Sequence, residues 1–570
     1  MTDARPLAFE LPPLRAISVA IPLFILAVLL QPSVSARTSR RLRLALLVPT
    51  AVLGWISPFR WRIEPVEFAI TANFRWGIFS PYFLMLAVWF GAMGESERKN
   101  ELAWLGFDGK AEKKALGVEE GSTGHSTATK EDGNAGLRPR ANGTLLAPKP
   151  RPVSPLASPA LSLVSNSSLN DQLPTPSPSP PVDPVQPPSV VDAPPSSVNV
   201  PTLTSRKNAT RSYSQRHHPL RILLDAAHLL SAMRMIGYAG GPRARDLPPA
   251  PKNDKTFFRD RLLAFYNAHL VSSACLALQV LDRDGILASY LSYILPHDAA
   301  VFVSATLARL CIGVSLWVQM KIGFNGFAIL FYLLHRGTNA FLDTLQAILP
   351  RRWSEELTWR SRFDVREYPA LFDNPFSKMG EGGVTKFWSA RWHFLFRATF
   401  TSLGYKPTLA LSKRLGVPKR VAQLLGAFVV FTLSAWMHWQ ALVSARYNLH
   451  PSPAGLAFAA AHSIPLTSIY PPPSTSLSFL DRNGTFVFFL LQPVAVFLES
   501  LWVALTRKRV SGWAGKVWTA LWVVVLGQAV VGKSWLALGL VHGLPPLHLW
   551  SWHRFVLPTC SLAPMPVFMR

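Results

Sequence analysis

The chain is poor in cysteine and in charge, and each shortage excludes a class of protein. Its 570 residues include three cysteines, Cys275, Cys311 and Cys560, which are too few and too scattered for a disulfide framework or a zinc cluster. Charged residues make up 16% of the sequence, against about a quarter in typical globular proteins. Together with 49% hydrophobic residues, this composition indicates a membrane protein.

Acidic residues are the scarcer charged type, which leaves a formal net charge of +26. Nucleic-acid binding is the weaker interpretation of that charge, because no basic and aromatic patch lies on a soluble segment. The basic residues instead cluster beside apolar runs, as cytoplasmic anchors do, and they indicate a bilayer as partner and a cytosolic first loop. These clusters are Arg37, Arg40, Arg41 and Arg43 after the first run, and Arg351, Arg352, Lys413, Arg414, Lys419 and Arg420 beside later ones.

Apolar runs of membrane-spanning length recur along the chain and predict an all-α, polytopic integral membrane protein with roughly eight to ten spans. They cover residues 16–30, 44–56, 76–93, 262–281, 299–320, 421–443, 484–504 and 517–541. The shorter runs 323–335 and 454–469 are candidates for half-helices or tilted spans. The first run resembles a signal peptide in length, but the positive charge follows it, which favours a retained helix.

Composition divides the chain into four parts. Residues 1–93 hold the first transmembrane helices, and 94–220 are rich in Ser, Pro, Thr and Gly, which predicts a disordered cytosolic loop. Residues 221–258 begin with an amphipathic pattern typical of an interfacial helix; alternatively, His228, Arg234 and Tyr238 line the entrance of a site. Residues 259–570 form the membrane-embedded core.

Soluble-enzyme motifs are also missing: there is no Gly-rich phosphate loop, HExxH or GxSxG. An ionisable residue inside a span is then the best functional signal. His438 lies near the end of the run that begins at Val421, and Ser434, four positions earlier, would share its helical face and could set its tautomer. An alternative interpretation stays open, in which His438 is hydrogen-bonded at a helix end and Trp436 and Trp439 lie at the membrane interface.

A second polar cluster, TKFWSARWHFLFR, covers residues 385–397. As one helix it would place Ser389, His393 and Arg397 on a single polar stripe. The alternative is an interfacial anchor in which Lys386, Arg391 and Arg397 reach toward the headgroups. The 45 residues between His393 and His438 allow a second helix to return beside the first, so that both histidines reach one cavity.

FWSARWHFLFR followed by FVVFTLSAWMHW resembles the wax synthase branch of the membrane-bound O-acyltransferase superfamily, in which an FWxRxW(H/N) segment precedes an FxxSGxxHE-like segment. The resemblance covers residues 362–445. It implies that His438 is the catalytic histidine and that His393 is a second polar site residue. It further matches Phe387, Trp388, Arg391, Trp392 and Ser434 to the surrounding frame, and Asn374 in LFDNPFS to the polar approach.

This chain departs from the family pattern at four positions. Ser389 and Ala390 replace the usual Gly and Arg, Ala435 replaces a Gly, and Trp439 replaces an acidic residue.

The resemblance implies an acyl-CoA-dependent O-acyltransferase of the endoplasmic reticulum, acting on a lipophilic alcohol in wax-ester synthesis or in acetylation of a terpenoid or sterol. His438 is expected to be the general base, with His393 and Ser389 or a backbone amide at the oxyanion. We expect neither a permanently bound cofactor nor a metal. The CoA phosphates would meet Lys413, Arg414, Lys419 and Arg420, unless these only anchor the chain.

Two other functions stay open, a catalytically inactive scaffold and a lipid transporter. The transporter is disfavoured because paired, repeat-related helix interruptions are not found. Oligomeric state is not readable from the sequence.

Overall fold

The computed structural model describes most of the chain outside the segment rich in serine and proline. The described residues are 9–10, 13–62, 66–102, 219–242, 247–248, 251, 253–350, 360–361, 363–372, 382–392, 395–448, 453–463, 465–466 and 477–543. Most of the predicted disordered loop, residues 103–218, lies outside them, as do the site candidates Asn374 and His393.

Helices form nearly all of the described structure. The first eight are α1 Pro13–Leu29, α2 Ala36–Arg60, α3 Val66–Ala92, α4 Glu95–Glu101, α5 Pro219–Ser231, α6 Asp254–Arg283, α7 Ile286–Leu291 and α8 His297–Ile348. The remainder are α9 Gly383–Lys386, α10 Arg397–Phe400, α11 Lys406–Arg414, α12 Lys419–Asn448, α13 Pro453–Ala461, α14 Phe479–Thr506, α15 Gly512–Ala520 and α16 Lys533–Ala537.

Shorter elements complete the chain. Turns of 3-10 helix cover Val365–Glu367 and Leu540–Gly543, and π-helical turns cover Phe387–Arg391, Thr401–Tyr405, Leu521–Val525 and Gln528–Gly532. Two-residue strands, β1 Phe9–Glu10 and β2 Trp61–Arg62, pair in parallel with Phe9 opposite Trp61.

Six helical stretches among the described residues are long and apolar enough to cross a membrane, which supports a multi-pass integral membrane protein. They are Ala36–Arg60, Asp254–Arg283, His297–Ile348, Lys419–Tyr447, Phe479–Thr506 and Gly512–Ala537. A shorter apolar helix covers Ala20–Leu29. The count of eight to ten spans stays a prediction.

Two predictions for local structure were wrong. The run 323–335 is no half-helix, because it continues the preceding run within the 52-residue helix α8; that helix contains no proline to interrupt its hydrogen bonds. The start of the predicted loop is helix α4, whose first turn carries Glu95 and Glu97, an arrangement that favours a helix N-terminus. Arg98 of α4 contacts Glu95 at 2.6 Å and the Gln31 carbonyl oxygen at 3.2 Å.

One of the predicted basic anchors is instead a buried cap. Arg43 is 1% exposed, and its guanidinium donates to the carbonyl oxygens of Phe90 at 2.5 Å and Met93 at 3.0 Å, and to Ser39 Oγ at 3.1 Å. The last carbonyls of a helix lack partners within the helix and attract positive charge. Arg43 therefore joins the start of α2 to the end of α3, while Arg37, Arg40 and Arg41 are exposed.

Helix α5 buries one face against the protein and exposes the other; its position on the membrane surface stays a prediction. The His228 ring contacts the Tyr238 hydroxyl and Glu367 Oε1, each at 2.8 Å. Burial raises the pKa of the Glu367 carboxyl, and the His228 contact opposes that shift. His228, Tyr238 and Glu367 thus connect α5 to the chain just before the candidate site, and they line neither of the cavities described below.

Helices α3 and α12 approach closely because their contact residues are small. A Cβ atom on Gly77 would lie 2.5 Å from Ser444 Oγ and 2.9 Å from Ala441 Cα. Small residues at such a crossing allow two membrane helices to touch along their backbones. This contact places the residues of α3 beside the end of α12 that carries His438.

Candidate active site

A buried carboxylate positions the segment that contains Trp388 and Ser389. Glu499 of α14 accepts hydrogen bonds from the Val384 amide at 2.6 Å and the Thr385 amide at 2.9 Å. These amides begin the short helix α9, where free N–H groups favour a negative charge. The close approach requires glycine at position 383, because its φ is +79° and a Cβ there would lie 2.4 Å from Glu499 Oε1.

The segment 385–397, which we considered as one helix, is interrupted among its described residues. After α9 the chain forms a π-helical turn, closed by the Trp392 amide donating to the Phe387 carbonyl at 2.7 Å. Trp392 then adopts an extended conformation, φ −76° and ψ 166°, and a new helix begins at Arg397. Ser389 and Arg397 therefore lie in different elements, and π turns of this kind are frequent at functional sites.

Gln492 of α14 orients Trp388. The Trp388 Nε1 atom donates to Gln492 Oε1 at 3.0 Å, and Gln492 Nε2 in turn donates to the Phe488 carbonyl at 3.2 Å. Gln492 is fully buried, so this hydrogen bond satisfies a group that would be costly to leave unpaired.

Gln492 and Glu499 are the site residues that our sequence reasoning missed. They are the single Gln and the single Glu of the apolar run 484–504, and seven residues, about two helical turns, separate them on one face. Buried polar residues at that spacing in a span were a usable signal.

The histidine of α12 has a defined hydrogen-bond partner. His438 Nδ1 lies 2.8 Å from the carbonyl oxygen of Ser434 but 3.5 Å from its hydroxyl oxygen. The backbone carbonyl, an acceptor, therefore holds the Nδ1–H and leaves Nε2 as the basic nitrogen of the neutral ring. We had expected the Ser434 hydroxyl in this role. The ring of Phe489 stacks on the imidazole, with centroids 4.3 Å apart.

Two cavities meet at His438. The smaller, about 90 Å³, brings together six predicted site residues, which are Trp388, Ser389, Trp392, Arg397, Ser434 and His438. The larger, about 750 Å³, shares Trp388, Trp392 and His438 and extends between α3, α6, α8, α14 and α15. Its volume lies in the range of cavities that bind drug-sized ligands.

Ser389 offers an unused hydrogen-bond donor in the smaller cavity. The residue is 4% exposed, and its hydroxyl has no partner among the described residues. A buried hydroxyl without a partner costs roughly 1–3 kcal/mol. Such a group is suited to a ligand oxygen that arrives during binding or reaction.

The predicted CoA-binding residues lie apart from both cavities. Lys413 and Arg414 end α11, Lys419 and Arg420 begin α12, and all four are exposed. Basic residues at the end of a helix are favourable, whereas those at the start of α12 oppose the helix dipole. Lys419 and Arg420 therefore do not stabilise α12 through its dipole. Their contact with CoA phosphates stays a prediction.

Two departures from the family pattern, Trp439 and Ala435, and the neighbouring Trp436 contact other helices. Trp439 Nε1 donates to Asn483 Oδ1 at 3.0 Å, and Asn483 is the non-helical residue at a kink in α14. Trp436 stacks on Trp55, with centroids 5.7 Å apart. Ala435 is fully buried in the cluster that also contains Val384 and Phe431. Trp436 and Trp439 thus pack against neighbouring helices.

Residues 368–460 match the model of the Membrane bound O-acyl transferase family. The match covers roughly one sixth of the chain and includes both the Trp388–Ser389 segment and His438. It supports the membrane-bound O-acyltransferase superfamily, and with it an acyltransferase enzyme, as the class of this chain. No curated protein and no solved structure matches the sequence.

Proposed function

We propose that this protein is a wax synthase-like O-acyltransferase, which moves an acyl group from acyl-CoA to the hydroxyl of a lipophilic alcohol. The observation that carries the proposal is the position of His438, which joins a small cavity containing Ser389, Arg397 and Ser434 to a large one with a mostly apolar lining. An alcohol and a thioester can meet there away from bulk water, which otherwise competes as a nucleophile.

The reaction requires one base. The acceptor oxygen attacks the thioester carbonyl carbon while its proton passes to His438 Nε2, the nitrogen left free by the Nδ1 hydrogen bond. The tetrahedral intermediate then loses the C–S bond, and the CoA thiolate takes the proton back from the imidazolium. Products are the ester and free CoA, and neither a covalent acyl-enzyme nor a metal takes part.

Negative charge develops on the thioester oxygen and needs a donor. Ser389 is suited to this role, because its buried hydroxyl has no partner among the described residues and lines the small cavity with His438. Donors placed in advance at a developing oxyanion stabilise the transition state strongly. His393, which lies outside the described residues, is the second proposed donor or a positioning group for the acceptor.

The basic residues are suited to binding the acyl donor, acyl-CoA. The exposed cluster Lys413, Arg414, Lys419 and Arg420 is proposed to meet CoA phosphates. Lys516 is also exposed, and it lines the large cavity as well, so it offers a cation between the aqueous phase and the cavity. The proposed location is the endoplasmic reticulum membrane.

Acyl transfer is tested with membranes that contain the full chain, labelled acyl-CoA and a panel of long-chain, terpenoid and sterol alcohols. We expect an ester product from the wild type and a loss of turnover of at least a thousandfold in His438→Ala, because the base is removed. Turnover that survives in His438→Ala would exclude His438 as the base. A wild type that acylates no acceptor would favour the inactive scaffold.

A further inference from the structure

The large cavity carries an unbalanced positive charge. Its described lining contains the basic residues Arg75, Arg309 and Lys516 but no Asp or Glu, and most of the remainder is aromatic or aliphatic. Charged groups that are buried are costly and normally meet a counter-charge or a ligand. The described lining supplies no negative partner for Arg75 or Arg309.

Arg75 and Arg309 keep unused donors. Nε and Nη2 of Arg75 and Nε of Arg309 are buried without hydrogen-bond partners among the described residues. Arg43 provides a contrast within the same fold, because its guanidinium is bonded to the Phe90 and Met93 carbonyls and to Ser39. Unpaired buried donors on a charged group cost more than those on a neutral group. Packing among the described residues thus gives no partner to these donors of Arg75 and Arg309.

The two arginines border the same turn of the chain. A Cβ on Gly532 would lie 3.0 Å from the Arg309 Cβ. Phe74, the neighbour of Arg75, packs on Trp535 with ring centroids 5.0 Å apart. Lys516 lies sixteen residues before Gly532, roughly 24 Å away along that helical stretch, so it belongs to another part of the cavity.

The arginine end of the cavity lies near His438. Gly77, two residues after Arg75, touches Ala441 of α12, and Ala441 is one helical turn beyond His438. Arg75 therefore lies roughly 8 Å from His438 along the helix axes. A molecule of moderate length can reach both groups within the one cavity.

We propose that the acceptor is a hydroxy acid, a lipophilic molecule whose carboxylate binds Arg75 and Arg309 while its hydroxyl lies at His438. The inference rests on the acyl transfer proposed above and adds the class of acceptor. A guanidinium matches a carboxylate with two parallel hydrogen bonds. A monoanion is also cheaper to transfer from water into an apolar cavity than a doubly charged phosphate.

The test compares three acceptors with the full chain in membranes, which are ω-hydroxydecanoic acid, its methyl ester and decanol. We expect the wild type to prefer the acid over the ester by about tenfold or more in kcat/KM, because the ester cannot accept charge-assisted bonds from both arginines. In Arg75→Met this ratio is expected to fall by about tenfold, and Arg75→Lys should keep part of it.

Arg259→Met is the matched control, because Arg259 is exposed and lies outside the cavity; its acid-to-ester ratio should equal that of the wild type. Equal rates with acid and ester, or a preference unchanged in Arg75→Met, would overturn the hydroxy-acid inference while leaving acyl transfer intact. No product from any acceptor in the wider alcohol panel would contradict acyl transfer itself, and the inference with it.

Discussion

At the scale of the residue, the base depends on which ring nitrogen of His438 is free. The Ser434 carbonyl oxygen, 2.8 Å from Nδ1, fixes this, and the Ser434 hydroxyl at 3.5 Å adds little. The Ser389 hydroxyl, in contrast, lines the cavity and has no partner in the part of the chain that the structure describes. Two serines beside one histidine are thus expected to differ in function.

Alanine at each serine tests this difference. Ser434→Ala keeps the backbone carbonyl, so kcat should stay within about threefold of the wild type. Ser389→Ala removes a proposed oxyanion donor, and kcat should fall by about a hundredfold with little change in KM. Steady-state kinetics with labelled acyl-CoA measure both. A large loss in Ser434→Ala together with normal Ser389→Ala turnover would reverse the assigned roles.

Sequence patterns singled out residues that lie together in the structure, but the patterns do not show how those residues are held. Trp388, Ser389, Arg397, Ser434 and His438 were predicted, and all five line the small cavity. The hydrogen bond of His438 was assigned to the wrong group, because a sequence pattern shows side chains and hides the carbonyl of the preceding turn.

At the scale of the element, the segment from Gly383 to Trp392 depends on the carboxylate of Glu499. The amides of Val384 and Thr385 both donate to it. The spacing of Ser389, His393 and Arg397 fits one stripe of a helix, which is why we considered a single helix here. The π turn depends on tertiary contacts from α14, between 104 and 115 residues later in the chain, which local periodicity does not encode.

A substitution at Gly383 should displace this segment. Gly383→Ala places a methyl group against Glu499 at a positive φ, so we expect at least a tenfold loss of kcat, since small shifts of positioning residues are costly. Gly416→Ala is the matched control, because Gly416 has φ +69° with open space around it; it shares the backbone strain without the collision. Equal losses in both variants would show that strain, and not contact with Glu499, is responsible.

At the scale of the whole molecule, helix type and position followed from hydrophobicity. All eight predicted apolar runs lie largely within helices of the structure. Hydrophobicity did not predict which basic residues are buried. The same Arg-rich cluster holds exposed Arg37, Arg40 and Arg41 and fully buried Arg43. A count of charges predicts on which side of the membrane a loop lies. The contact of Arg43 with α3 depends instead on how α2 and α3 pack together.

Arg43→Met should destabilise the entire N-terminal helical group. The carbonyls of Phe90 and Met93 would lose their donor, and we expect a cost of about 3 kcal/mol in the free energy of unfolding. Arg41→Met, at an exposed position two residues earlier, should change stability by less than about 0.5 kcal/mol. Thermal unfolding of the purified proteins in detergent measures both, and equal midpoints for the two variants would contradict the capping role.

The uninterrupted length of α8 has a practical consequence for imaging. Its 52 residues extend about 78 Å at 1.5 Å per residue. Even a helix tilted by about 40° needs only about 39 Å to cross a 30 Å hydrocarbon layer. About half of α8 then lies beyond the layer. Near its C-terminal end Leu342 packs against Leu224 of α5, so this part is supported by another helix. In electron micrographs of detergent-solubilised particles, the part of α8 beyond the layer and the helix packed on it should extend outside the micelle and provide a fixed marker for determining particle orientation.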